Sequence, residues 1–178
     1  CESVTDFNPD ITISDGRYAS QLGVTLFPLN LSYFVGKDVL INGIFYIDRP
    51  IAFNNCRIKL AAGAQIVVLS QIYKVELLAF QTKFFSCDDM WKGMVFGQGT
   101  RCRIYYCEIE DAQHALTIHS YVSLALIGNT FNRNFISIRN AEGNTTLPFL
   151  YIKGNEFNCT SELSDYYDLD FPGISEDP

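Results

Sequence analysis

The chain has 178 residues, 48% of them hydrophobic and 14% aromatic, with a net charge of −7. That is enough apolar material for one sizeable core, and it excludes the disordered and collagen-like classes. Residues 160–178 hold six carboxylates and no Lys or Arg, which leaves 14 acidic against 13 basic residues before them. A near-neutral body without a basic stripe does not neutralise phosphates, so nucleic acid is not an expected partner.

At the N-terminus, Cys1 stands where the lipid-bearing residue of a mature lipoprotein stands, and equally where a longer chain has been cut. Residues 1–38 read as an N-terminal cap or extension. Leu26–Phe34, apolar around Pro28, is the candidate cover for an exposed sheet end. Val39–Ile47 reads as a first strand-bearing coil. No apolar run reaches the roughly 18 to 20 residues of a membrane span, because Lys59, Gln65 and Lys74 interrupt the richest stretch.

A repeat begins at residue 51. Ile58, Phe84, Ile109, Phe131 and Phe157 are its anchors, and seven residues before them stand Ile51, Leu77, Cys102, Leu124 and Leu150. Five before stand Phe53, Ala79, Ile104, Leu126 and Ile152. Two before stand Cys56, Thr82, Cys107, Asn129 and Asn155. The first two columns are two residues apart, so on a strand they share a face. Intervening residues such as Arg103 and Tyr151 then point outward. After each anchor but the last comes a second apolar run, at Gln65–Leu69, Met94–Phe96, Ala115–Ile118 and Phe135–Ile138.

Anchors separated by 22 to 26 residues, with short strands between them, predict coils that stack and pair backbone to backbone. Like side chains then fall on like inside, and Asn129 over Asn155 forms an amide ladder at a turn. The expected fold is all-β, a right-handed parallel β-helix over residues 39–159, with residues 160–178 an acidic loop or linker leading towards further chain. A leucine-rich repeat would need an asparagine-bearing leucine motif, and a β-sandwich has no reason to hold apolar columns in register over five repeats.

The stretch from Asn42 to Cys159 resembles the β-helix repeats of the pectate-lyase-like superfamily. More narrowly, AAGAQIVV at 61–68, MWKGMVF at 90–96, IEDAQHAL at 109–116 and NTFNRNFISI at 129–138 resemble large surface proteins of bacteria that use type IX secretion. This resemblance implies an exported, cell-surface or released protein. It supports an architecture better than an activity.

Enzymes of that superfamily set the patterns against which catalytic residues are judged. The polygalacturonase-like pattern runs Asn-x-Asp, an Asp pair, Gly-His-Gly and Arg-Ile-Lys. Here Arg57-Ile58-Lys59 precedes Asp88-Asp89, the reverse order, and the other two motifs are missing. Lyase-like calcium sites draw carboxylates from successive coils, whereas Glu108, Glu110 and Asp111 lie on one coil, opposite Lys83, Phe85, Asn132 and Arg133; a solvated turn is expected there. Asp111, His114, His119 and Ser120 lack a glycine pattern for an oxyanion hole. No catalytic residue, metal or cofactor is therefore expected. The six cysteines show no CxxC pair; their even number permits disulfides in an exported protein, and buried thiols also pack as small hydrophobes.

What remains is surface. Tyr105, Tyr106 and Tyr151, at or beside outward strand positions, are the candidate platform for a sugar ring or a partner protein. The three sequons at Asn30, Asn144 and Asn158 would be idle in a bacterium. The expected role is a non-enzymatic extracellular scaffold or adhesive element, with other subunits or surface polysaccharide as partners. The rival reading is a carbohydrate-active enzyme or polysaccharide-binding module.

Overall fold

The structure is a computed structural model that describes residues 6–22, 32–70, 75–87, 89–141, 149–160 and 163. It is a parallel β-solenoid built from three sheets, one of seven strands and two of six. The first sheet stacks Ile11–Ile13, Asp38–Ile41, Arg57–Leu60, Lys83–Phe85, Glu108–Glu110, Thr130–Asn132 and Glu156–Asn158. The second sheet runs from Arg17–Tyr18 through Ile44–Ile47, Gln65–Val68, Trp91–Phe96 and Ala112–Ile118 to Ile136–Asn140. The third runs from Ser32–Val35 through Ile51–Asn54, Glu76–Phe80, Arg101–Tyr105 and Ser123–Ile127 to Phe149–Lys153.

The predicted columns are the ladders themselves. Ile58 pairs with Phe84, Phe84 with Ile109, Ile109 with Phe131, and Phe131 with Phe157. Ile51, Leu77, Cys102, Leu124 and Leu150 are in register in the same way, as are Phe53, Ala79, Ile104, Leu126 and Ile152. Ile58, Phe84, Ile109 and Phe131 are wholly buried. Phe157 is the exception at 54% exposed: its ring stacks on Phe131 at 5.1 Å, but no described residue covers its other face.

The solenoid also reaches further towards the N-terminus than its repeat suggests. Within residues 1–38, Ile11–Ile13 pairs with Val39–Ile41, Arg17–Tyr18 with Phe45–Tyr46, and Ser32–Val35 with Ile51–Asn54, so this region contributes a coil of its own. Of the candidate cover Leu26–Phe34, the part from Leu26 to Leu31 lies outside the described residues, and Ser32–Phe34 belongs to a strand. Cys1 and residues 164–178 also lie outside them.

The turn between the third and first sheets is built the same way in every coil. One residue there takes a left-handed backbone: Gly36, Asn55, Gln81, Tyr106, Gly128 and Gly154, with φ between 47° and 62°. The next backbone N–H has no strand to pair with, and in four successive coils a side chain of the following coil accepts it. Cys56 N–H donates to Thr82 Oγ1, Thr82 N–H to Cys107 Sγ, Cys107 N–H to Asn129 Oδ1, and Asn129 N–H to Asn155 Oδ1. The column of Cys, Thr and Asn therefore consists of acceptors for an otherwise orphaned buried donor. Asn129 also donates from Nδ2 to Asn155 Oδ1 and to the Ile104 carbonyl, at 2.9 and 2.8 Å, which is the expected amide ladder. Asn129→Ala would strand the Cys107 N–H in the interior, at an expected cost of about 1–3 kcal/mol in urea unfolding. Asn129→Thr, which keeps an acceptor, should lose distinctly less.

Candidate functional site

Four features of the solenoid are candidates for function. The first is the carboxylate group after the first sheet. Glu110 and Asp111 are 5% and 2% exposed, so the expected solvated turn is instead a buried charge network. The reason is the repeat: coil stacking places cations from both neighbouring coils against them. Lys83, one coil before, reaches Glu108 at 3.0 Å and Glu110 at 2.9 Å. Arg133, one coil after, donates to both oxygens of Asp111 at 2.8 Å and to Glu110 at 3.4 Å. Asn132 Nδ2 donates to Glu110 Oε1, and buried Trp91 donates from Nε1 to the Glu110 carbonyl at 2.7 Å. Asp111 and Arg133 both occupy left-handed backbone, one above the other, at φ 58° and 52°.

Charge within this group is tightly apportioned. Burial pushes Glu108 up, and its hydrogen bond with Glu110 pushes the same way. Glu110 is held below its ordinary value because hydrogen bonds from Lys83 and Glu108 outweigh its burial. Two carboxyls with opposed shifts are what acid–base catalysis requires. Here, however, Lys83 bridges them and they hydrogen-bond each other directly, whereas glycosidases hold their carboxyls roughly 5 to 10 Å apart across a groove. The arrangement is that of a structural ion-pair network. Among the described residues no group of three or more His, Cys, Asp or Glu is placed to hold a metal ion.

Tyr105, Tyr106 and Tyr151 do not stand together as one platform. Tyr151 pairs with Ala125 and thence Arg103, while Tyr105 pairs with Ile127, so the two stand in different outward columns and on coils two apart. Tyr105 is half-buried. Tyr106 is not on a strand: it is the left-handed residue of its turn and projects from the ridge, 58% exposed. Its neighbour is Phe80 of the preceding coil, edge to face at 5.7 Å. On the other side lies Gly128, where a Cβ would stand 2.7 Å from Cδ1 of Tyr106. Gly128 thus does two things, relaxing a positive φ and making room for the tyrosine ring. The exposed aromatic pair is Tyr106 with Phe80, a partner that sequence reading missed because the turn re-aims the side chain.

The other flagged residues do not assemble into a site. Asp88 lies outside the described residues, and Asp89 is exposed and accepts the Ser86 hydroxyl on its carbonyl. Arg57 and Lys59 are half-buried on the outer side of their strand, and Arg57 is paired with Asp38. His114 and His119 are each half-buried; burial and the charge of Arg139 pull His114 below its ordinary range. Cys56, Cys102 and Cys107 are buried thiols, and burial pushes Cys107 up to about 12, which removes thiolate reactivity. Cys87 is disulfide-bonded.

The last candidate is the C-terminal end of the solenoid. An apolar cleft of about 150 Å³ opens there, lined by Ile118, Leu124, Ile138, Leu150 and Ile152 with Arg139 and Asn140.

No protein-family model, curated protein or solved structure matches the chain. A function therefore has to be argued from the solenoid and its surface. Among the described residues no helix is long and apolar enough to cross a membrane.

Proposed function

We propose that this chain is a stretch of extracellular β-helix from an exported bacterial surface protein of the pectate-lyase-like kind, carried by type IX secretion, and that it acts as a rigid scaffold with an adhesive ridge. The observation that carries the reading is the unbroken three-sheet ladder, in which each charged cluster is spent on holding coils together. Glu108, Glu110 and Asp111, the most concentrated carboxylates of the described structure, are tied to Lys83 and Arg133 rather than opening into a groove. The disulfide at Cys87 supports export, since such bonds persist in oxidising compartments. The Tyr106–Phe80 pair supports adhesion: an exposed ring on a stiff turn presents apolar area to a sugar face with little entropy to lose.

Two measurements test this. Binding to a panel of neutral and acidic polysaccharides, polygalacturonate included, should be saturable and should weaken at least about tenfold, or about 1.4 kcal/mol, in Tyr106→Ala. Equal binding by Tyr106→Ala and the parent removes the ridge as the adhesive element. Sustained release of reducing or unsaturated ends from polygalacturonate, abolished by Glu108→Gln or Glu110→Gln, overturns the scaffold reading in favour of a carbohydrate-active enzyme.

A further inference from the structure

Tyr106 is one member of a row. Gly36, Asn55, Gln81, Tyr106, Gly128 and Gly154 hold the same left-handed position in successive turns, so they stack along the solenoid at the strand spacing of about 4.8 Å. The backbone of this row is pinned. The N–H groups of Gly36, Asn55, Gln81, Tyr106 and Gly128 donate to the carbonyls of Asn54, Phe80, Tyr105, Ile127 and Lys153 in the following coil. Side chains on the row therefore project from fixed points, and a ligand that meets them has little backbone freedom to remove.

Beside the tyrosine stand two side-chain amides. Asn55 and Gln81 are exposed, and among the described residues neither amide group is hydrogen-bonded. Each offers a carbonyl and two N–H donors to solvent. The adjacent outward column is Asn54, Phe80, Tyr105 and Ile127, in which the Asn54 amide is already engaged with the Tyr33 hydroxyl at 3.0 Å. From Asn55 to Gly128 the two columns carry no charge. The cations around them are paired or lie beyond: Lys37 with Asp10 at 3.7 Å, Arg103 with Glu76 at 3.1 Å, and Lys153 one coil past Ile127.

This pattern selects a class of ligand. The chain carries a net charge of −7, so an anionic polymer is repelled at a distance and meets no cation on the strip itself. A neutral sugar suits the strip better, because its C–H face packs on an aromatic ring while its hydroxyls both donate to and accept from an amide. The coil spacing is also comparable with the length of one pyranose unit in an extended 1,4-linked chain.

We propose that Asn55, Gln81 and Tyr106 form a binding site for a neutral, extended 1,4-linked polysaccharide that runs along the solenoid axis, one sugar unit to a coil. Tyr106, backed by Phe80, takes a sugar face, and Gln81 and Asn55 take hydroxyls of the next two units. The site rests on the reading of the ridge as adhesive, to which it adds a ligand class and a direction.

The test is calorimetric titration of the full chain with cello-, manno- and chito-oligosaccharides of increasing length, with oligogalacturonates as the charged counterpart. At least one neutral series should bind, its affinity rising until the oligomer spans about three coils and then levelling. That affinity should change less than about twofold between low and high salt, and oligogalacturonates should bind at least about tenfold more weakly. Asn55→Gly and Gln81→Gly relax the left-handed backbone, so each should weaken binding about three- to tenfold at a melting temperature close to the parent's. If the double variant binds like the parent while Tyr106→Ala does not, this site is overturned and the adhesive ridge stands. Preference for oligogalacturonates, or no binding of any neutral series, also overturns it. Binding that is equal in the parent, the double variant and Tyr106→Ala removes both the site and the adhesive ridge.

Discussion

Replacing Phe84 with alanine is expected to destabilise the chain by about 3–5 kcal/mol, read as a shift of the urea midpoint at unchanged slope. Phe84 is wholly buried between Ile58 and Ile109 in the anchor column, and its ring meets Phe53 edge to face at 6.3 Å. The loss should fall at the upper end of the range for large-to-small changes because the cavity cannot collapse. The coils on either side are held in place by ladders on all three sheets, and a solenoid transmits stability only between neighbouring coils. A middle-coil cavity therefore damages two interfaces at once. Phe157→Ala is the matched control, since it removes the same ring from the same column at the exposed end. It should cost less than about 1.5 kcal/mol, the value of a single stacked aromatic contact. Equal losses at the two positions would mean that the column does not form the core.

The anchor column was legible in the sequence because stacked strands have no freedom of register. A slip of one residue would turn Phe84 outward and its neighbours inward, so spacing has to be conserved within the coil even when loop lengths vary. The coils before residue 51 fall outside the 22 to 26 residue window: Val39–Ile47 is legible as a strand-bearing coil but not as a member of the repeat, and the coil within residues 1–38 is not legible at all. Val39 and Ile58 are paired neighbours only 19 residues apart, and Ile11 and Val39 are 28 apart, so no single period connects them to the rest. The left-handed row was half visible, as Gly36, Asn55, Gly128 and Gly154 are residues that favour positive φ. Gln81 and Tyr106 conceal it, and Tyr106 consequently reads as a strand residue. The charge network escaped for a different reason. Lys83 and Arg133 stand at coil-equivalent positions of the acidic group, where they fail as calcium ligands and succeed as counter-ions. Side chains that cannot ligate a metal still have this second use, the neutralisation of buried carboxylates on the neighbouring coil.

That second use predicts the other large effect. Arg133→Ala should destabilise the chain by about 3–5 kcal/mol, because it leaves the nearly inaccessible carboxylate of Asp111 and the adjacent Glu110 without their guanidinium. Hydrogen bonding to Asp111 raises Arg133 above its ordinary range, so the guanidinium stays charged throughout the accessible pH range. The cost is attributable to an orphaned buried charge and not to lost packing if Asp111→Asn, combined with Arg133→Ala, recovers a large part of it. Asparagine suits this test because it tolerates the left-handed backbone at position 111. Additive losses in that cycle would sink the interpretation. The acid limb gives the sign independently. Glu110 is held below its ordinary 4.5, so its contribution to stability is complete above that value and disappears as pH falls through the lowered one. Lys83 is the mirror case: its hydrogen bonds to Glu110 and Glu108 outweigh its burial and raise it, so its share is complete below its ordinary 10.5 and is lost as pH rises through the raised value. Glu108, which burial pushes up, changes charge within those limits, so the fixed clamp across three coils is Glu110 held by Lys83 on one side and Arg133 on the other. A surface scaffold needs such a clamp, and an active-site carboxylate pair poised to exchange protons near neutrality would not provide it.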